Sequence, residues 1–150
     1  MNNPLTTDEI FSRAYGDYYR EEIKITEKLL SKINVNDREK AKCLLDVCLH
    51  NGIVHLDIYD VEHCLSGKNE VVYLEFNSKE DAVGYFSNKG KLNGLLVVIY
   101  EGDDGIEMIE LAEILNSISK ATGLDDEAIM LHQIVSKSPA GALRILVQFL

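Results

Sequence analysis

The spacing of apolar residues changes part-way along this chain, and that change dictates an architecture of helices followed by a sheet. Up to Gly67 the apolar side chains recur at intervals of three, four and seven, the period of one helix face. From Val71 onward they crowd into short, nearly continuous runs: Val71–Phe76, Leu95–Tyr100, Ala128–Ser136 and Ala142–Leu150. Such runs suit strands covered on at least one face.

The first helix start is written in Leu5-Thr6-Thr7-Asp8-Glu9-Ile10: Thr6 as N-cap, Glu9 closing a capping box, Leu5 and Ile10 as a hydrophobic staple. Phe11, Ala14, Tyr15, Tyr18, Ile25 and Leu29 then line one stripe of a long helix to about Ile33, the tyrosines falling in the core and its rim. Asn36 with Glu39 starts a second helix, whose Ala41, Leu44, Leu45 and Cys48 face inward until Asn51-Gly52 breaks it. A shorter third helix is expected from near Tyr59 to Ser66-Gly67.

In the second half Ser78 caps a short helix carrying Ala82, Val83 and Phe86. The Gly102-Asp103-Asp104-Gly105 turn delivers Asp103 or Asp104 as N-cap of a helix with Met108, Leu111, Ala112, Leu115 and Ile118 on its buried side. Gly123 stops that helix, with Leu124 placed for the contact of a Schellman ending. Lys137-Ser138-Pro139-Ala140-Gly141 has the length of a hairpin connection between the last two strands. The expected class is α/β (α+β): a four-stranded mixed sheet with packed helices, preceded by an N-terminal two-helix segment. One domain, 1–150, is expected, with helices over 1–51 and the α/β unit over 52–150.

Charge narrows the partners. With 15 basic against 25 acidic side chains, a net charge of −10 opposes approach to a phosphate backbone or an anionic lipid surface, so neither nucleic acid nor membrane is an expected partner. The first thirty residues hold no apolar signal region and no run nears the ~18 residues that span a bilayer. Three cysteines, an odd number, fit reduced thiols, and a cytoplasmic location is expected.

Chemistry-bearing motifs are sparse. Among the ten glycines the closest pair, Gly102 and Gly105, is flanked by Glu101, Asp103 and Asp104, which would repel the anion that a phosphate cradle holds. Cys43, Cys48, His50, His55, His63 and Cys64 lack the close pairing of zinc ligands, and Cys43 and Cys48 fall on different helix faces. A calcium loop counted from Asp103 would place Ile114 where its bidentate Glu belongs. No cofactor, metal or catalytic residue is expected from these patterns. An enzyme built on Cys64, His63 and nearby carboxylates is the least supported alternative.

The most informative stretch is Gly52-Ile53-Val54-His55-Leu56-Asp57-Ile58-Tyr59-Asp60-Val61. Asp57 and Asp60 lie three apart at the start of a helix, where both carboxylates project near its positive end and could hold a water or a cation; capping alone also explains them. This stretch resembles the loop and helix that open the C-terminal domain of the FtsZ and tubulin family, which in FtsZ read approximately Gly-Leu-Ile-Asn-Leu-Asp-Phe-Ala-Asp-Val. Gly52, Ile53, Leu56, Asp57, Asp60 and Val61 keep the pattern, and the later order of strand, helix and two closing strands matches. The resemblance covers Gly52 to Leu150, about two thirds of the chain, and lacks the family's GTP-binding domain.

In that family one subunit holds GTP and the next inserts this acidic loop to orient the attacking water. The resemblance places Asp57 and Asp60 at the two polarising carboxylates and His55 at the family's Asn. It implies a non-catalytic module, tied to cell division, that docks His55, Asp57 and Asp60 onto a protein partner. That partner is a polymerising FtsZ-type GTPase, which the module would cap or modulate. The alternative is a self-associating structural module that kept the fold and lost the polymer interface.

Overall fold

A computed structural model describes Pro4, residues 6–124 and residues 128–150, without the side chains of Phe11 and Ser12. The elements are α1 (Thr7–Ser31), a one-turn 3-10 helix (Val35–Asp37), α2 (Arg38–His50), α3 (Ile58–Cys64), β1 (Val71–Phe76), α4 (Lys79–Phe86), β2 (Leu92–Tyr100), α5 (Met108–Thr122), β3 (Ile129–Val135) and β4 (Leu143–Phe149). The strands form one mixed sheet in the order β1-β4-β2-β3. β4 runs antiparallel to both β1 and β2, while β2 and β3 are parallel.

Alternation along the strands feeds two cores. Leu96 and Val98 of β2 and Leu146 of β4 point into a layer formed by α1, α2 and α3. Leu95, Val97 and Ile99 with Ile145 and Val147 point into the opposite layer, where Phe86 of α4 and Ile114 and Ile118 of α5 pack. The result is a three-layer α/β/α arrangement with β2 at its centre, Leu95 to Ile99 being fully inaccessible.

That burial corrects the expected final hairpin. β3 and β4 do not pair; β2 lies between them. A strand apolar on both faces gains by having both edges hydrogen-bonded. The helical crossover through α5 brings β3 to one edge in parallel, and the link after β3 carries the chain over the end of β2 to the other edge. Tyr100 N–H donates to Ala142 O at 2.9 Å, Gly141 N–H to Tyr100 O at 2.8 Å and Gly102 N–H to Lys137 O at 2.9 Å, which fasten that passage.

The Thr6–Glu9 capping box is present. Leu5 of the expected staple lies outside the described residues, as does the side chain of Phe11. The stripe on α1 is buried only in its C-terminal half, at Ile25 and Leu29 and on to Ile33. Ala14 and Tyr15 are exposed, Tyr15 at 70% and Tyr18 at 37%, against the core and rim positions expected. Length explains this: 25 helical residues reach about 37 Å, while a seven-residue strand covers only about 23 Å.

The α5 start also differs. Glu107, in extended conformation, precedes the helix, and Asp103 and Asp104 lie in the exposed turn rather than capping it. Met108, 79% exposed, and Ala112 lie off the core, and Ile114 takes the central place beside Ile118. Gly123 ends α5 in the left-handed region at φ +59°, and Leu124 packs against the second core as expected. Among the described residues no helix is long and apolar enough to cross a membrane.

α3 comes close to the sheet at Gly94, where an added Cβ would sit 2.0 Å from the Cys64 carbonyl oxygen. Gly94→Ala is therefore expected to destabilise the fold by about 1–3 kcal/mol, because the obstruction is backbone. Gly84, inside α4 with nothing within 4 Å, should instead gain about 0.5–1 kcal/mol on substitution by Ala. Urea denaturation of the two variants checks both signs.

Candidate functional site

The acidic loop is the connection between α2 and α3. α2 ends at Asn51, whose N–H donates to Val47 O at 2.9 Å, and the chain then turns beneath β3. Ile53 N–H donates to Ile134 O at 3.0 Å. Leu56, Ile58 and Val61 enter the core, which leaves Asp60 exposed and Asp57 half-buried. His55 is exposed two residues earlier.

Asp57 is the N-cap of α3. Its Oδ1 accepts from the Asp60 N–H at 3.0 Å, and Asp60 Oδ2 accepts from the Asp57 N–H at 3.1 Å. This reciprocal capping box fixes both side chains and occupies one oxygen of each carboxylate. Local geometry thus gives the pair a structural task as well as a surface position. Tyr18 of α1 lies beside them, hydrogen-bonded with the Ile58 backbone. Burial, together with the nearby charge of Asp57, pushes its phenol above the ordinary value.

Two fully buried glutamines, unnoticed in the sequence, hold this segment to the sheet. Gln133 of β3 accepts from Val54 N–H at 2.7 Å and donates through Nε2 to Val54 O and Cys48 O, both at 2.7 Å. Gly52 makes room for it: a Cβ there would stand 2.0 Å from Gln133 Cδ. Gln148 of β4 does the same on the far side of α3, accepting from Gly67 N–H at 2.7 Å and donating to Gly67 O at 2.8 Å and Asn69 O at 2.7 Å. The only sequence signal was a glutamine inside each apolar strand, where an amide survives only if both its donors and its acceptor are engaged.

The cysteine and histidine candidates lie in different environments. Cys64 Sγ is buried against Leu95 O at 3.4 Å and Ile129 O at 3.5 Å, and burial pushes its thiol up to about 12. His63 faces solvent. Burial likewise pushes Cys48 up to about 12, while Cys43 is exposed, so the two do fall on different faces. Among the described residues no group of three or more His, Cys, Asp or Glu is placed to hold a metal ion.

A second polar cluster lines a cavity of about 330 Å³ between α2 and the sheet. Tyr73 donates its hydroxyl proton to Glu75 Oε1 at 3.0 Å, Lys40 Nζ lies 3.4 Å from the same oxygen, and Arg144 Nε lies 3.9 Å from Oε2. Burial and the Glu75 carboxylate push Tyr73 above its ordinary value. Partial burial alone would raise Glu75, but the Tyr73 hydrogen bond and the charges of Arg144 and Lys40 outweigh it and hold the carboxyl low.

No protein-family model matches this sequence, and no curated protein is significantly similar to it. Among solved structures, CetZ from Methanosaeta thermophila strain DSM 6194, a tubulin/FtsZ-family protein, is similar with a TM-score of 0.51 at 12% identity. The fold is FtsZ/tubulin-like. The match covers 75% of this chain and 35% of CetZ, so this chain spans about a third of that protein's length. Likeness at this identity speaks for the fold alone.

Replacing Gln133 by Leu should orphan Val54 N–H and two carbonyls, each buried group costing about 1–3 kcal/mol. Hydrogen exchange at the Val54 amide should accelerate well beyond that at β2 amides, which report the sheet. Glu75 gives a pH prediction. Its folded value lies below its ordinary 4.5, so its contribution is present above that pH and is lost as the pH falls through the folded value. Glu75→Gln should lower the melting temperature at neutral pH, and the gap from the unsubstituted protein should close on acidification.

Proposed function

We propose that this chain is a non-catalytic relative of the second, C-terminal domain of the FtsZ and tubulin family that acts by docking onto a protein. In this reading the loop bearing His55, Asp57 and Asp60 is presented to the nucleotide face of a polymerising GTPase of that family, capping or modulating its filament. The single observation that carries it is the capping box: on an FtsZ/tubulin-like fold, a half-buried Asp57 and an exposed Asp60 are fixed together at the mouth of α3. Fixed carboxylates lose little freedom on docking, and their position costs the partner no rearrangement. His55 cannot offer the paired donor and acceptor of a single amide, so the reading is of docking rather than of accelerated hydrolysis.

The test separates charge from capping. Asn caps helices about as well as Asp, so Asp57→Asn with Asp60→Asn keeps α3 and removes both charges. Cosedimentation with an FtsZ-type GTPase from the same organism should show substoichiometric protein altering polymer mass and GTP turnover, with the double variant inert at an unchanged melting temperature. The proposal fails if the unsubstituted protein leaves both quantities unchanged, or if the double variant matches it.

A further inference from the structure

A different surface from the acidic loop carries an independent inference. α1 and α2 pack side by side, and between them runs a groove of about 550 Å³ open to solvent. Its apolar wall on α1 is formed by Tyr19 and Ile23, 48% and 43% exposed, and Tyr15, 70% exposed, extends the same ridge one turn beyond the groove. Tyr15 and Tyr19 stack with ring centroids 6.5 Å apart. Leu30 and Leu49 continue the apolar lining deeper in the groove. Its floor is tied by His50 Nε2, 2.6 Å from Oε1 of the buried Glu22.

The charge around this groove selects its occupant. Glu22, Glu27, Glu39 and Asp46 stand against Lys42 and His50, so the lining is predominantly acidic. A second copy of this chain, itself at −10, would bring like charge to that lining. An apolar strip framed by carboxylates suits a helix with leucine-like residues on one face and lysine or arginine along its flanks.

We infer that the α1–α2 groove is a docking site for a basic amphipathic helix of a partner protein. The partner's apolar residues sit against Tyr19 and Ile23, and its cations meet Glu27, Glu39 and Asp46. Docking here leaves Asp57 and Asp60 free, so this site and the loop can be occupied together.

The probe is a synthetic leucine–lysine peptide with helical three–four spacing, compared by fluorescence anisotropy with a leucine–glutamate peptide of the same pattern. The intact protein should bind the first and not the second, more weakly as salt is raised. Ile23→Asp decides between specific and diffuse attraction. It adds a negative charge, so general electrostatics would tighten binding, whereas loss of the apolar contact should weaken it at least about tenfold, or about 1.4 kcal/mol. Tyr19→Ala, also at an exposed position, should weaken it in the same direction, with the melting temperature of both variants unchanged. The inference is overturned by absence of binding, by equal binding of the two peptides or by Ile23→Asp binding as tightly as the parent. It is also overturned if the parent sediments as a dimer that Ile23→Asp dissociates, which would make a second copy the occupant.

Discussion

Burial of β2 on every side is the constraint from which the remaining structure follows. Leu95 to Ile99 are inaccessible to solvent, with alternate side chains feeding the two core layers. A strand in that position leaves no backbone group free for water, so both edges have to be paired within the chain. β3 and β4 supply those pairings from opposite sides. The same central strand accepts the close approach of α3, since Gly94 has no side chain to hold the Cys64 carbonyl away.

From that scaffold the acidic loop acquires its rigidity. A connection between two helices is ordinarily among the more mobile parts of a fold. Here Gln133 takes both polar groups of Val54, and Gln148 takes those of Gly67, so both ends of α3 are bound to the sheet by fully buried amides. Each glutamine faces a glycine whose missing Cβ leaves it space. The capping box then orients Asp57 and Asp60 within the fixed frame. Two carboxylates are thereby held in place at the mouth of α3.

The helical layer has an opposite character. Only the C-terminal half of α1 is needed to cover the sheet, and its aromatic N-terminal half extends past the core. Tyr15, Tyr19 and Ile23 on this helix are exposed, and Glu27, Glu39 and Asp46 line the groove beside it. Two separate surfaces, one polar and one apolar, therefore lie on the same three-helix layer.

Much of this was legible in the residues. The Thr6–Glu9 box, the inward face of α2 at Ala41, Leu44, Leu45 and Cys48, the Ser78 cap, the Gly123 stop and the four strand runs are local signals, each set by residues within a few positions of one another. So was the capping of α3 by Asp57, with Asp60 three residues on. Only the tertiary structure decided that β4 inserts between β1 and β2, that Tyr15 lies beyond the edge of the core, and that Gln133 and Gln148 fix the loops. Those outcomes depend on which strand edge is vacant, how far the sheet extends and which backbone groups 79 or 81 residues away need partners. Local sequence specifies elements and their apolar faces; pairing and reach are settled only when distant segments compete for the same buried space.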